Sequence, residues 1–353
     1  MPLDRRDLPA AVLDILRRGA VIPAHPLALD ANRRLDARRQ RALSRYYLDA
    51  GAGGLAIGVH TTQFAIRAAG LYEPLLASAA ASVASWAQRP VVMIAGVCGS
   101  TEEAVREARI AVAHGYHGAL LSLAAMKGAD DRALVEHCAA VATEMPLVGF
   151  YLQRAVGGIE LGVDFWTRFA ALDNVIAIKV APFDRYRTLA AIRGVVEAGA
   201  EERIVLLTGN DDHIVLDLIT PFTIMREGKP VTMRFRGGLL GHWSVWVKSA
   251  VELWRRCDQA VHAGKIDADL LALAARVTDC NGAFFDAAND FRGAIAGCHE
   301  VLRRQGLLAG IWCLDPAETL SSGQSEEIDR VYAMHRDLCD DEFVAANLAR
   351  WLD

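Results

Sequence analysis

Apolar positions along the chain fall into short continuous runs, separated by stretches with a helical period. The runs begin near Ala20 (AVIPAH), Gly53 (GGLAIGV), Pro90 (PVVMIAGV), Gly118 (GALLSL), Pro146 (PLVGFYL), Asn174 (NVIAIKV), Arg203 (RIVLLTG) and Val231 (VTMRFRGG). They recur roughly every 28 to 37 residues, about one strand–helix unit each. The runs are continuous rather than alternating, as expected of parallel strands covered on both faces.

The intervening segments carry helix start and stop signals. STEEAVREARIAVAHG offers Ser100 or Thr101 as N-cap, Glu102 and Glu103 in the first turn, and Gly115 just past the end. DDRALVEHCAAVATE and VDFWTRFAAL have the same character. Eight such units predict an α/β fold of the (β/α)8 TIM-barrel type. A doubly wound open sheet is the alternative, but it would usually show a glycine-rich phosphate turn after the first strand, and none is present. Beyond about Leu253 the strands stop and only helical patterns follow. The expected division is a barrel catalytic domain over residues 1–252 and a C-terminal helical extension over 253–353, packed on the barrel or on a neighbouring subunit.

Composition narrows the function classes. The chain is 53% hydrophobic and 23% charged, with a net charge of -5, so it lacks the basic footprint of a nucleic-acid binder. No apolar run approaches the ~18 residues of a membrane span. Acids and arginines crowd the N-terminus too closely for a signal-peptide core. The cysteines number seven, an odd count with no CxxC spacing, and read as reduced thiols of a cytoplasmic protein.

Only five residues are lysine, and one, Lys179, interrupts the apolar run NVIAIKVAPF near the end of the sixth strand. In a parallel barrel that end carries the site. Apolar surroundings disfavour an ammonium and lower its pKa, and a neutral amine can attack a ketone to form a Schiff base. The plainer alternative is a lysine that snorkels or pairs with an acid such as Asp184. Lys248, also in an apolar stretch, is expected on a helix after the eighth strand. Tyr151 ends the fifth strand, where a hydroxyl could shuttle protons or, more simply, cap a packed ring. The turn GVHTTQF, with His60, Thr61 and Thr62, offers backbone N–H groups, hydroxyls and an imidazole for a carboxylate, or else a helix cap. In TGNDDHIVLDL, Gly209 permits close approach of a ligand, and Asn210 is a natural cap or contact. Asp211, Asp212 and His213 are successive, so they cannot all face one metal ion from a regular element. No metal and no cofactor are expected.

Taken in order, GGLAIGVHTTQF, PVVMIAGVCGSTEEAVREARIAVAHGYHGALL, PLVGFYLQRAVGG, NVIAIKVAPFDR and LLTGNDD resemble the dihydrodipicolinate synthase / N-acetylneuraminate lyase superfamily of class I Schiff-base aldolases, as a divergent member. The resemblance covers about Val21 to Ala250. It implies a lyase that acts on a 2-oxo acid such as pyruvate or a sugar-derived keto acid, by aldol chemistry or dehydration, as a homo-oligomer (dimer or tetramer). It implies Lys179 as the Schiff-base lysine and Tyr151 as the proton-shuttling tyrosine. Thr61, Thr62 or His60 would meet the substrate carboxylate in place of a Gly-Thr-Thr-Gly-Glu-type turn, whose glutamate is absent. Gly209, Asn210 and Arg154 would contact substrate, although Arg154 is displaced from the family's usual offset. LLSLAAMKG lacks the family's tyrosine after the fourth strand, which points away from a lysine-pathway synthase. PAHPLALD departs from the family's TPF pattern and offers His25 to the site instead. The long segment ITPFTIMREGKPVTMRFRGG is expected to reshape the pocket. Two rival readings are a metal-dependent barrel enzyme using His60, Asp211 and His213, and a barrel that binds a small oxo acid or sugar acid without turnover.

Overall fold

The protein is described by a computed structural model covering residues 1–353. Eight parallel strands form one sheet: β1 (Val21–Pro23), β2 (Gly54–Ile57), β3 (Val92–Val97), β4 (Gly118–Leu121), β5 (Leu147–Leu152), β6 (Val175–Ala181), β7 (Val205–Thr208) and, eighth in order, β10 (Phe235–Leu240). From β2 to β7 each strand pairs with the next, β7 pairs with β10, and β10 returns to pair with β1. The remaining seam between β1 and β2 is closed by an Ala24–Ala56 bridge and by the Gly53 N–H, which donates to the Val21 carbonyl at 3.0 Å. The result is a (β/α)8 barrel with helices between the strands and a helical extension.

Alternation along the strands sorts side chains into two cores. Ile22, Ala56, Ile94, Leu120, Val148, Phe150 and Leu207 fill the barrel interior. A larger apolar layer between sheet and helices runs without a break into the C-terminal helices, through Val277, Val331 and Trp351. The helix Ala10–Arg18 sends Val12 and Leu16 up into the interior and stoppers the end where the strands begin.

Local signals act as expected at Thr101–Ala113. The Ser100 hydroxyl accepts from the Glu103 N–H, the Glu103 carboxylate accepts from the Ser100 N–H at 2.7 Å, and Gly115 follows at φ 75°. Two expectations need correction. The helix Val247–Ala263 runs straight through the expected boundary at 252, and the first helix of the extension is Ala268–Phe284. The run VTMRFRGG is also not one strand. A hairpin of β8 (Phe222–Arg226) and β9 (Lys229–Met233) precedes β10, turning on Glu227 and Gly228, both at positive φ. Arg226 ties the hairpin to Glu201 and to the Val196 carbonyl, close to where β7 begins. It therefore lies at the stoppered end and does not shape the pocket at the other.

Candidate active site

At the opposite end, a cavity of about 40 Å³ opens among the loops that follow β1, β2, β5, β6, β7 and β10. That is room for on the order of three waters. Lys179 enters it from β6, where flanking side chains bury all but 7% of it. Space for it comes from Gly209. A Cβ there would stand 2.6 Å from Lys179 Cε and 2.9 Å from its Cγ, so only glycine lets the lysine pass. The Lys179 Nζ lies 4.5 Å from the centroid of the Phe150 ring. Burial pushes its pKa down, and the Asp211 carboxylate, on the same cavity wall, pulls it part of the way back. Asp211 is pushed up by the same burial and drawn down by Lys179 and by the His242 N–H, which donates to its Oδ1 at 2.8 Å. Two oppositely charged groups are thus held in an apolar-walled cavity and act on each other through charge, not through a hydrogen bond.

His60 lines the cavity, and burial and then the Lys179 charge lower its pKa to about 4, which leaves the imidazole neutral at physiological pH. Thr61 also lines it, but its hydroxyl donates to the Ala24 carbonyl at 2.8 Å. The Thr62 hydroxyl donates to the His25 carbonyl at 2.7 Å and accepts from the Gly58 N–H. Both hydroxyls therefore tie the second loop to the first strand instead of facing a ligand. What the turn leaves free is backbone: the N–H groups of His60 and Thr61 have no backbone acceptor.

Several expected placements are overturned. Tyr151 does not stand beside Lys179. It is on the outer face of β5, packed on Trp166 at 5.3 Å, with its hydroxyl accepting from the Leu161 N–H at 3.3 Å. The cause is a bulge in β6. Leu147 pairs with Val175, but Val148 pairs with Ala177, so Ile176 is the extra residue and Phe150, not Tyr151, comes opposite Lys179. Asn210 faces away from the cavity. Its side chain donates to Asp217 and accepts from the Phe183 N–H at 3.0 Å, which makes it a brace for the loop after β6. Arg154 is exposed and reaches only Glu160. His25 is wholly buried on the outer side between Ser44 and Gln40. In keeping with their succession in the chain, and against the rival metal reading, Asp212 and His213 turn to Arg185 and Asp217 and do not converge with Asp211 on one point. Lys248, by contrast, lies where it was expected, on the helix Val247–Ala263 after the eighth strand, paired with Glu252 at 3.2 Å.

The structure also brings in residues that the sequence did not single out. Phe150, Leu152, Val156, Phe183, Phe285 and Phe291 wall the cavity, the last two from the loop after the helix Ala268–Phe284. Phe183 and Phe291 both hold left-handed backbone, at φ 53° and 63°, and their rings meet edge to face at 5.7 Å. Such backbone costs a bulky residue roughly 1–3 kcal/mol and persists where the surroundings over-determine it. Here Asn210 fixes Phe183. Asp286, itself at φ 57°, accepts from the Gly293 N–H at 3.0 Å and holds the loop that bears Phe291.

The description of the dihydrodipicolinate synthetase family matches residues 18–220, more than half of the chain. Among solved structures, dihydrodipicolinate synthase from Oceanobacillus iheyensis is similar at TM-score 0.74 and 15% identity, over 92% of this chain and 99% of that one. CdNal from Clostridium difficile in complex with mannosamine is similar at TM-score 0.72 and 13% identity, over 90% and 99%. The dihydrodipicolinate synthase from Acinetobacter baumannii complexed with pyruvate is similar at TM-score 0.72 and 17% identity, over 89% and 98%. At these identities the likeness shows the fold. No curated protein sequence matches the chain. No helix is long and apolar enough to cross a membrane.

Proposed function

The chain belongs to the dihydrodipicolinate synthetase family and is a class I aldolase-type lyase, and on that premise we propose that Lys179 is its Schiff-base nucleophile toward a small 2-oxo acid. The observation that carries the reading is the placement of Lys179: an amine almost wholly buried, against the Phe150 ring, in the cavity at the strand ends. A depressed pKa supplies neutral amine near physiological pH. The amine attacks the C2 carbonyl. The carbinolamine then loses water, with Asp211 giving the proton the departing hydroxyl needs, and an iminium remains. Neutral His60 takes a proton from C3 to give an enamine, or the iminium accepts the electron pair of a breaking carbon–carbon bond. The substrate carboxylate meets the free N–H groups of His60 and Thr61, and the small cavity favours a three-carbon oxo acid. With Tyr151 on the outer face and Phe150 inside, proton transfer falls to Asp211 and His60 and not to a tyrosine.

Reduction with borohydride in the presence of pyruvate, followed by peptide mapping, tests this. A pyruvyl adduct on Lys179 is the expected result. Its absence with pyruvate and with a panel of 2-oxo acids refutes the mechanism.

A further inference from the structure

The cavity has one cationic group, Lys179, and its charge is gone once the iminium has passed to the neutral enamine that meets the second reactant. Its other charge is the carboxylate of Asp211, and its remaining polar side chains are those of His60, Thr61 and Gln153. The Thr61 hydroxyl is already committed to the Ala24 carbonyl. No arginine reaches the cavity: Arg154 points to solvent, and Arg185 is bound to Asp217 outside the barrel. A second anionic reactant would find no counter-charge and would face Asp211. A polyhydroxylated one would set several hydroxyls against phenyl rings, where each unpaired group costs binding.

The outer wall is instead built for apolar contact. Phe183 and Phe291, both half-buried, form the edge-to-face pair across the mouth, one from the loop after β6 and one from the C-terminal region. Phe285 lies beside them and is accommodated by Gly241, where a Cβ would come 2.5 Å from the Phe285 ring. The Asn210 side chain accepts from the Phe183 N–H, and the Asp286 carbonyl accepts from the Phe291 N–H at 3.1 Å while its carboxylate accepts from the Gly293 N–H, which together hold the unfavourable backbone of the pair. Plain filling of a gap does not require such backbone, and strain kept in place this way clusters at active sites and ligand clamps.

We infer that the carbonyl compound that joins to, or is released from, the Lys179-bound oxo acid is uncharged and apolar, and that it is received at the Phe183–Phe291 pair. The inference rests on the Schiff-base reading above. In the condensing direction the enamine carbon attacks the aldehyde carbon and one carbon–carbon bond forms. The aldehyde oxygen takes a proton to become a hydroxyl. Water then adds to the iminium, releasing a 4-hydroxy-2-oxo acid and free lysine. No redox partner is needed.

The test uses the full-length enzyme with pyruvate and single aldehydes: benzaldehyde and butanal as apolar probes, glyceraldehyde and erythrose as hydroxylated ones, succinic semialdehyde as an anionic one. Product is followed by mass spectrometry. Apolar aldehydes are expected to exceed the others in kcat/KM by about tenfold or more. Phe291→Asn, a residue type that tolerates left-handed backbone, is expected to reduce that preference about tenfold while pyruvate trapping on Lys179 stays intact. Phe183→Asn serves as the second variant. Trapping without any aldehyde turnover, or with preference for a hydroxylated or anionic aldehyde, overturns the inference and leaves the Schiff-base reading standing. An unchanged preference in both variants removes the phenylalanine pair from the recognition site and overturns the inference as well. Loss of trapping in the wild type defeats the Schiff-base reading first, and this inference with it.

Discussion

The two ends of the barrel are built to opposite rules. At the stoppered end, Val12 and Leu16 fill the interior, and the hairpin is fixed by the Arg226–Glu201 ion pair at 2.7 Å, with every partner near at hand. At the open end, Lys179 and Asp211 share an apolar-walled cavity without a hydrogen bond between them, and Phe183, Trp246, Asp286, Asp290 and Phe291 hold positive φ in the loops around it. At the stoppered end the only non-glycine residue with positive φ is Glu227, in a two-residue hairpin turn that calls for it, whereas the open end carries such backbone in bulky loop residues that no turn requires. Local rules are broken where chemistry or recognition has a use for the breach. The contrast predicts that substitutions at the open end change chemistry more than stability, and that those at the stoppered end do the reverse.

The largest effect is expected at Lys179. Lys179→Met keeps the stem and removes the amine, so borohydride adduct and turnover should both vanish while the melting temperature is kept or rises. Residual adduct mapped to another lysine, such as Lys248, would break the contrast at its centre. Next comes Asp211→Asn. As the proton donor, Asp211 should be worth about 10²–10⁴ in kcat. The direction of the pH effect is independent of that figure. Burial lowers the Lys179 pKa and the Asp211 charge raises it. Removing the charge should therefore move the midpoint of pyruvate trapping to lower pH, while the maximal rate falls. A midpoint that moves upward would mean that Asp211 does not act on Lys179 in this way.

At the other end, Leu16→Ala should cost about 2–5 kcal/mol of stability by opening a hole in the barrel interior. Trapping per folded molecule should stay unchanged, because Leu16 lies at the far end of the interior from the lysine. Denaturant unfolding set beside the trapping rate separates the two. A loss of trapping out of proportion to unfolded protein would show that the ends are coupled.

How much of this was legible in the sequence follows the same division. Continuous apolar runs specify buried parallel strands, and seven of the eight barrel strands lie within the runs that announced them. The eighth was blurred because VTMRFRGG holds the end of β9 and the start of β10. The Glu227–Gly228 pair between two strand-like segments was the sequence signal for the hairpin, whereas the alternating burial of Phe222–Arg226 emerges only in the structure. Lys179 was legible because a cation in an apolar run is an anomaly by itself. Asp211 was named only as a ligand in the rival metal reading, and Phe183 and Phe291 not at all, since an acid or phenylalanine in a loop is ordinary and acquires its meaning only when distant segments converge. Gly209 was seen as a place for ligand approach, whereas its missing Cβ makes it the passage for Lys179.

The smallest effect tests the one-residue distinction on which the proton assignments depend. The interval from Tyr151 to Lys179 equals that from Leu147 to Val175, so without the extra residue Ile176 the tyrosine would be the cross-strand partner of the lysine. With it, Phe150 is the partner, and Tyr151 belongs to the helix-facing layer against Trp166. Tyr151→Phe should then remove only the acceptor for the Leu161 N–H, at a cost of about 1 kcal/mol, and leave kcat and the trapping rate within about twofold, less than the 10²–10⁴ of a lost proton donor. If turnover instead falls by the amount expected for Asp211→Asn, the hydroxyl is serving the reaction. The strand must then pair without its bulge in the working enzyme, and the sequence interval, not the register seen here, would describe the site.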